Sequence, residues 1–314
     1  MNLNEEIICG HLVTTRQKKI NAVFLDLLRE FDYLCTKSGI TWWLIWGALI
    51  GAVRHRGFIP WDDDVDIAVP RKDFDRLMRM TNEDFDARPP YFLQNPVTDP
   101  HCIQMLLRFR RSDTTSIRSY DAEAIRRTES GAPYNLGLSL AIVPLDIVPR
   151  SGFVYAVQKR IRDVLYSVQV RAFRPADEKP VRHVIARTMI FGLGPRRFAE
   201  LRHWPFRWCR KNRSGLVHLM GDLYEGFCTT HPAEDFASTV LLPFEDIVVP
   251  VPIGYRDFLT GTYGDYMQFP PPEQRRAPHG AYERADTPYT VSVERFRCGE
   301  IDLPAADQPE RSVS

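Results

Sequence analysis

The chain has 314 residues, which is enough for one large domain or two ordinary ones. Hydrophobic residues make up 44% and charged residues 26%, as is normal for a soluble globular protein. The formal net charge of +1 gives no overall electrostatic reason to expect a nucleic-acid partner.

Cysteine use and apolar runs indicate the compartment. The six cysteines are scattered without a C-x-x-C pair, which favours free thiols over disulfides or a zinc site. No apolar run reaches the length of about 18 residues that a membrane-spanning helix needs. The acidic start "MNLNEEIICGHL" also lacks the apolar core of a signal peptide. We therefore expect a cytoplasmic protein.

The first half of the chain alternates predicted helices and strands. Apolar residues at three- and four-residue steps predict a helix over 15–38, capped by Thr15 and ended by Gly39. The elements predicted next are a strand over 41–46, a glycine-bounded turn and short helix over 47–57, a strand over 65–69 that ends at Pro70, a helix from 71, and strands near 102–109 and 138–143.

The middle of the chain is basic. From Arg150 to Arg213 there are sixteen Lys or Arg and four Asp or Glu, mostly in a helical pattern that includes Trp204, Phe206 and Trp208. One interpretation is a solvated helical insertion. The other is a basic, aromatic surface at the inner face of the cytoplasmic membrane, which meets anionic lipid or a phosphate-bearing acceptor.

The last third contains a predicted helix, the strands "TVLLPF" and "IVVPVP", a helix over 254–262, and a Pro-rich polar tail expected to be disordered beyond about residue 290. The division that we predict is a catalytic core over 1–149, a basic helical insertion over 150–235, a part over 236–290 that completes the core, and a disordered tail over 291–314.

The most unusual stretch is "WDDDVDIAV", which places acids at 62, 63, 64 and 66 directly before a strand. Side chains alternate faces along a strand, so Asp62, Asp64 and Asp66 are expected on one face and Asp63 on the other. Clustered carboxylates repel, and a hard cation such as Mg²⁺ or Mn²⁺ removes that repulsion. An ordinary acidic turn at a strand end is the alternative.

The residues just upstream favour the metal interpretation. Gly47 and Gly51 allow a close approach of the backbone, and a short helix offers free N–H groups to phosphate. Arg54 and His55 add positively charged side chains beside the acids. Mg²⁺ usually takes only one or two protein carboxylates and completes its shell with phosphate oxygens and water, so a diphosphate ligand is expected.

Residues 47–74, "GALIGAVRHRGFIPWDDDVDIAVPRKDF", closely resemble the signature of the LicD family, G-T-L-L-G-A-V-R-H-x-G-F-I-P-W-D-D-D-I-D-I. The resemblance continues through "YFLQNPVTDP", "LRFRRSDTTSI", "VPLDIVP" and "LPFEDIVVPVPIGYRDFLTGTYGDYMQFPPPEQR". It covers most of 15–280 in order, and the basic middle segment matches least. The family comprises bacterial phosphocholine transferases related to fukutin-related protein.

The resemblance implies an α+β, nucleotidyltransferase-like fold with a small mixed sheet flanked by helices. It also implies metal-dependent transfer of a phospho-alcohol, often phosphocholine, from a CDP-alcohol donor to a sugar hydroxyl of a cell-surface glycan, whether free or lipid-linked. The metal ligands carried over are Asp64 and Asp66, with Asp62 as a supporting carboxylate. The residues expected to contact substrate are Gly47, Ala48, Gly51, Arg54, His55, Trp61, Arg108 and Arg110.

Two departures from the family pattern put catalysis in question. Ala48 stands where the family has Thr, and in "GLSLAIVPLD" (137–146) Ala141 stands where it has the Asp that completes the metal site. Asp146 or Asp62 substitutes for the lost carboxylate, or the chain is a binding-only relative, or the alignment is shifted here. The same two acids are the candidates for the general base.

Further residues and rival classes complete the hypotheses. Trp61 beside the acids is the best candidate for stacking on a base or a choline headgroup, whereas Trp42, Trp43 and Trp46 fit core packing better. A lone His279 is more often without function. A DxD glycosyltransferase is the rival enzyme class, although its D-x-D normally follows a long nucleotide-binding region. A catalytically impaired nucleotide- or glycan-binding relative is the third class.

Overall fold

The computed structural model describes residues 2–102, 106–173, 180–207, 214–219, 229–276 and 281–302. The strands are β1 (Glu6–Ile8), β2 (His11–Val13), β3 (Trp43–Leu44), β4 (Asp66–Pro70), β5 (Tyr91–Gln94), β6 (Leu107–Arg111), β7 (Thr115–Ile117), β8 (Leu138–Ile147), β9 (Leu216–His218), β10 (His231–Pro232), β11 (Thr239–Phe244), β12 (Ile247–Pro252) and β13 (Tyr282–Arg284). The α-helices are α1 (Thr15–Ser38), α2 (Trp46–Ile50), α3 (Arg71–Leu77), α4 (Ser119–Arg127), α5 (Gly152–Phe173), α6 (Pro180–Leu193), α7 (Pro195–Arg207), α8 (Tyr255–Tyr263) and α9 (Tyr289–Arg297). A π-helical turn (Gly51–His55) continues α2, and short 3₁₀ turns occupy Ala233–Phe236 and Pro272–Gln274.

The central sheet is mixed and is organised around β8. The strands run in the order β10-β9-β8-β4-β3, and β6 pairs with both β8 and β5. The β4–β8 pair is parallel, whereas β6 and β9 lie antiparallel to β8. Because helices and a mixed sheet share one main core, the predicted α+β class is confirmed.

Helix α1 covers the sheet and has the predicted bounds. The hydroxyl of Thr14, one residue before the predicted cap, accepts the Gln17 N–H, and Gly39 ends the helix with φ 61°. The apolar stripe of the helix, with Phe31 fully buried, packs against β6 and β8. Trp42 and Trp43 are buried in the same core, as expected.

Three predicted boundaries differ from the structure. The strand expected over 41–46 is reduced to Trp43–Leu44, because Trp46 adopts φ 49° and begins α2. Strand β8 extends beyond 143 to Ile147. The prediction of disorder from about residue 290 is wrong for α9, whose Val293 is fully buried against Ile117 and Ile125. Residues 303–314 lie outside the described ranges.

The basic insertion forms helices α5, α6 and α7 around a small core of its own. Strands β9 and β10 fall within the predicted insertion of 150–235, yet they extend the central sheet beside β8. The division into domains therefore stays a prediction, with its second boundary earlier than expected. Across the residues that the structure describes, no helix combines the length and apolar character needed to cross a membrane.

Candidate active site

The acidic cluster consists of Asp62, Asp63 and Asp64. One oxygen from each carboxylate lies within 4.8 Å of the others. Strand β4 begins only at Asp66, so the alternation expected of a strand does not apply to residues 62–64. The predicted separation of Asp63 from its neighbours is therefore wrong, and Asp66 lies outside the cluster.

The electrostatics of the cluster favour a bound cation. Burial, followed by the charges of Asp64 and Asp63, raises the pKa of Asp62 well above its ordinary value. A divalent cation would offset these unfavourable interactions, and oxygen ligands are what Mg²⁺ and Mn²⁺ prefer. The donor set therefore fits the metal that the sequence predicts, with Asp62, Asp63 and Asp64 as its ligands.

Gly47 is required by the position of Asp62. A Cβ atom at residue 47 would lie 2.5 Å from Asp62 Oδ2, closer than carbon and oxygen can approach. Gly51 has a comparable role, because a Cβ there would lie 2.4 Å from the carbonyl oxygen of Gly57. Gly47 thus lets the chain pack against Asp62, and Gly51 lets it pack against the backbone of Gly57, while their predicted role in holding phosphate stays untested, as does that of the buried Ala48.

We expect Gly47→Ala to weaken metal binding more than it weakens the fold. The added methyl group must displace the Asp62 carboxylate, so the dissociation constant for Mn²⁺ should rise by about tenfold. Calorimetric titration with Mn²⁺ measures this, and thermal unfolding monitors the fold. Gly192→Ala is the matched control, since its Cβ meets nothing within 4 Å. Equal Mn²⁺ affinity in both variants would contradict the proposed role of Gly47.

Residue 141 lies between register partners on the two strands that flank this part of β8. Ala141 pairs with Asp66 of β4 on one side and with Arg108 of β6 on the other. Register partners on neighbouring strands present their side chains to the same face. The family resemblance had placed the missing carboxylate here, and an Asp at this buried position would stand beside Asp66. The structure thus supports the alignment of this segment.

A pocket beside the cluster joins acids to arginines. Asp63, Asp64, Arg108 and Arg118 are among the residues that line it. Arg118 Nη2 lies 4.0 Å from Asp64 Oδ2, and Arg108 Nη1 donates to Ser139 Oγ at 3.3 Å. The same space therefore offers carboxylates for a cation and guanidinium groups for the oxygens of a phosphate.

Arg110 also lines the pocket, but its guanidinium is already hydrogen-bonded to other groups of the protein. It is fully buried among polar groups, where it donates to Gln94 Oε1 and to the carbonyl oxygen of Gly137. This desolvation lowers the pKa of Arg110, with the charge of Arg108 as a further cause. Of the two arginines predicted from "LRFRR", Arg108 is therefore the better placed for phosphate.

Glu283 is a site residue that the sequence analysis missed. Strand β13 pairs with β7 so that Glu283 faces Ser116, whose hydroxyl donates to Glu283 Oε1 at 3.2 Å. The buried carboxyl lines the same pocket as Asp63 and Asp64. Burial and then the charge of Asp63 raise the pKa of Glu283 from 4.5 to about 8. No sequence signal links residue 283 to the acids. Arg118 differs in this respect, because it directly follows "DTTSI", a segment that resembles the family.

We expect Glu283 to make the stability of the metal-free protein fall as the pH rises from about 5 to 8. In that window the folded state holds a proton that the unfolded chain has released, so unfolding becomes easier, by a few kcal/mol at most. Glu283→Gln should flatten this slope. Urea unfolding in EDTA at several pH values measures it, and identical slopes for the two proteins would exclude the raised pKa.

Arg54, His55 and Trp61 form a cation–aromatic cluster with the loop that follows α8. Arg54 Nη1 donates to the carbonyl oxygens of Tyr266 and Gln268, and the Arg54 guanidinium lies 5.0 Å from the Phe269 ring centre. Burial and then the charge of Arg54 lower the pKa of His55 to about 4. This shift favours the neutral form of His55 in this arrangement, and its predicted role in neutralising phosphate charge stays a prediction.

Trp61 is buried within this same cluster. The guanidinium groups of Arg54 and Arg275 lie 6.0 and 5.2 Å from the Trp61 ring centre. The ring therefore already has cationic neighbours from the protein itself, and its predicted contact with a choline headgroup remains a prediction.

Asp146 lies away from the acids, contrary to prediction. It is five residues further along β8 than Ala141, a separation of about 16 Å in an extended strand. Both of its oxygens accept hydrogen bonds from Arg71, at 2.6 Å each, in a buried ion pair. Asp146 therefore neither replaces the carboxylate lost at Ala141 nor acts as the base. His279 falls outside the described residues.

The family comparison matches the part of the chain that carries this site. The family model described as "LicD/FKTN/FKRP, nucleotidyltransferase domain" matches residues 39–119, from the glycine that ends α1 to the residue after Arg118. Residues 39–119 are therefore similar to the nucleotidyltransferase domain of the LicD family. The predicted family and the predicted enzyme of the LicD phosphotransferase type are thereby confirmed.

Relatives extend the LicD match beyond this domain. The chain is 26% identical over 271 residues to the lipopolysaccharide cholinephosphotransferase LicD of Haemophilus influenzae, which covers 85% of this chain and 96% of that protein. An uncharacterized protein of Rickettsia typhi is 42% identical over 57 residues, 18% of each chain. One of Rickettsia prowazekii is 47% identical over 48 residues, 15% of this chain and 18% of that protein.

Proposed function

We propose that this LicD-family chain transfers a phospho-alcohol of the phosphocholine type from a CDP-alcohol to a sugar hydroxyl of a cell-surface glycan. The observation that carries the proposal is the single pocket lined by Asp63, Asp64, Arg108 and Arg118. A donor of this class has a diphosphate, which needs both a cation and positively charged side chains. The Haemophilus relative, named for choline phosphate and lipopolysaccharide, supports the two substrate classes.

The metal would be Mg²⁺ or Mn²⁺, held by Asp62, Asp63 and Asp64 in place of the predicted pair Asp64 and Asp66. When bound, such a cation supplies Lewis-acid stabilisation of charge that develops on the phosphate oxygens. Arg108 and Arg118 would bind the other oxygens of the donor and hold it in line for attack. Asp66 would support the cluster from the start of β4.

The reaction forms one P–O bond and breaks another. The oxygen of the acceptor hydroxyl bonds to the phosphorus that carries the alcohol, and the bond from that phosphorus to the CMP oxygen breaks. The proton of the acceptor hydroxyl needs a base in the pocket. We assign it to the ionised form of Glu283, which a cation beside Asp63 would favour, because Asp146 is paired with Arg71 and Asp62 belongs to the cluster that holds the metal.

A second candidate function rests on Ala141. Residue 141 lies beside Asp66 where the family resemblance expects a further carboxylate, and its loss should weaken the metal site. A chain with a weakened site would bind a nucleotide or a glycan without turnover. The three clustered acids at 62–64 favour the active enzyme, because they leave a metal site that does not require residue 141.

The experiment that tests the function is release of CMP from a panel of CDP-alcohols, with Mg²⁺ or Mn²⁺ and a mixture of acceptor glycans. We expect release that requires both the metal and an acceptor, together with phosphorus in the glycan product. Release of CMP without transfer to any glycan would indicate a hydrolase. No release from any donor, together with hydrolysis of a nucleotide sugar, would favour the glycosyltransferase alternative.

The acceptor class includes lipid-linked glycans. The predicted contact of the basic segment 150–213 with the inner face of the membrane belongs to this proposal, because a lipid-linked acceptor is presented at a bilayer surface. The positive charge of the segment supports it.

A further inference from the structure

Helix α6 is apolar on two faces. Ala186 and Ile190 pack inward against α5 and α7. The opposite face exposes large apolar side chains at helical spacing, which are Val184 (59% exposed), Ile185 (61%), Met189 (37%) and Leu193 (39%). A surface helix normally turns a polar face to water, so this group of exposed apolar side chains indicates a covered surface.

The length of α6 limits what can cover it. Its 14 residues span about 21 Å, which is shorter than the hydrocarbon core of a bilayer at about 30 Å. A helix of this length does not cross a membrane, but it can lie in the interface with its apolar face in the acyl region.

The neighbouring helices also expose apolar and basic side chains. On α5, Phe153, Val157 and Val164 are exposed at spacings of four and seven residues, which places them on one side of the helix together with the exposed Arg160. On α7, Trp204 is 49% exposed. Exposed Arg196 and Arg197 follow directly after α6, at the start of α7. Apolar residues beside Trp and Arg are the composition of a membrane-interface helix.

We infer that the outer face of α6, with the exposed apolar residues of α5 and α7, is a docking surface for an anionic lipid bilayer. The membrane contact proposed above rests on the positive charge of the segment, and this inference assigns the contact to a particular surface. It therefore rests on that part of the proposed function. It is independent of the reaction itself.

Charge favours lipid over a second copy of the chain as the occupant. Residues 150–213 carry sixteen Lys or Arg against four Asp or Glu. Two copies facing each other through this surface would bring like charges together, which disfavours association. Anionic headgroups instead attract each basic residue near the surface.

The test is flotation of the full chain with vesicles of phosphatidylcholine alone or with phosphatidylglycerol. We expect binding to the anionic vesicles, weakened but not abolished by high salt, because apolar insertion is insensitive to screening. The double variant Ile185→Glu with Met189→Glu should bind at least about tenfold more weakly. Leu241→Glu is the matched control, since Leu241 is 62% exposed on the β11–β12 hairpin, and it should bind like the unchanged protein.

Two measurements keep the outcomes distinct. Far-UV circular dichroism and thermal unfolding check that the charged variants fold, and Arg196→Gln with Arg197→Gln tests the basic border without touching the apolar face. Absence of binding at low salt, or equal loss in the Leu241→Glu control, would overturn the inference. A dimer that Ile185→Glu dissociates in light scattering would show that a second copy covers the face. CMP release with a water-soluble acceptor tests the reaction separately.

Discussion

Replacement of Asp64 by Asn is expected to lower metal-dependent CMP release by about 100-fold or more. Asp64 contributes an oxygen to the three-acid cluster and lines the pocket with Arg108 and Arg118. Asn keeps the shape but removes the negative charge, and loss of several kcal/mol of stabilisation by the cation corresponds to this factor in rate. The measurement is the initial rate of CMP formation at saturating donor, with Mn²⁺ varied.

The control for this variant is Asp257→Asn, because Asp257 is an exposed acid in the first turn of α8. It should keep the full rate. Unchanged activity in Asp64→Asn would remove the acidic cluster from the mechanism. A loss that high Mn²⁺ concentrations restore would indicate that the charge of Asp64 acts chiefly on metal affinity.

Ala141→Asp separates the two candidate functions in the same assay. The β4–β8 register places a carboxylate at residue 141 beside Asp66, so the apparent affinity for Mn²⁺ should rise. If the unchanged chain already releases CMP, Ala141 is tolerated and the variant mainly lowers the Mn²⁺ requirement. If only the variant releases CMP, the chain is a catalytically impaired relative.

Asp146→Asn is expected to reduce the free energy of unfolding by about 3–5 kcal/mol. The Arg71–Asp146 pair is buried on both sides, with side-chain exposures of 6% and 1%. Removal of the carboxylate charge leaves the Arg71 guanidinium in the core with the more distant Asp75 Oδ1 at 3.6 Å as its remaining acidic partner of those described. Urea unfolding measures the change.

The exposed pair Arg29–Asp246 provides the comparison. Its side chains are about half exposed, so Asp246→Asn should change stability by less than 1 kcal/mol. At a temperature where Asp146→Asn is folded, its rate of CMP release per folded molecule should match that of the unchanged protein. A stable but inactive Asp146→Asn protein would instead indicate that Asp146 takes part in the reaction.

Local patterns predicted the elements that depend on neighbours in sequence. The apolar spacing of 15–38 and the αL preference of Gly39 are sufficient for α1, because both act within one or two turns. The sequence alone points to the acids at 62–66, but it does not predict which of them lie close together. Alternation assumes an extended strand, and the strand begins only at Asp66.

Residues that depend on tertiary pairing were not predictable in the same way. Asp146 was expected in the site because it is near Ala141 in sequence, whereas the five-residue step between them along β8 leads to a different environment. Glu283 reaches the acids only through the pairing of β13 with β7. Neither hydrophobic period nor residue spacing encodes such a contact. The family resemblance, in contrast, predicts that residue 141 lies on a strand next to the acidic stretch, and β8 does pair Ala141 with Asp66.

The pairing of β13 with β7 also fixes when the pocket is completed during synthesis. All of the residues matched by the family model have been synthesised once residue 119 is added, yet Glu283 is added 164 residues after it. At about 5–20 residues per second, that interval lasts roughly 8–30 s on the ribosome. Through that interval the acids and arginines of the site lack the side of the pocket that Glu283 forms, so the pocket is complete only after β13 has been synthesised and has paired with β7.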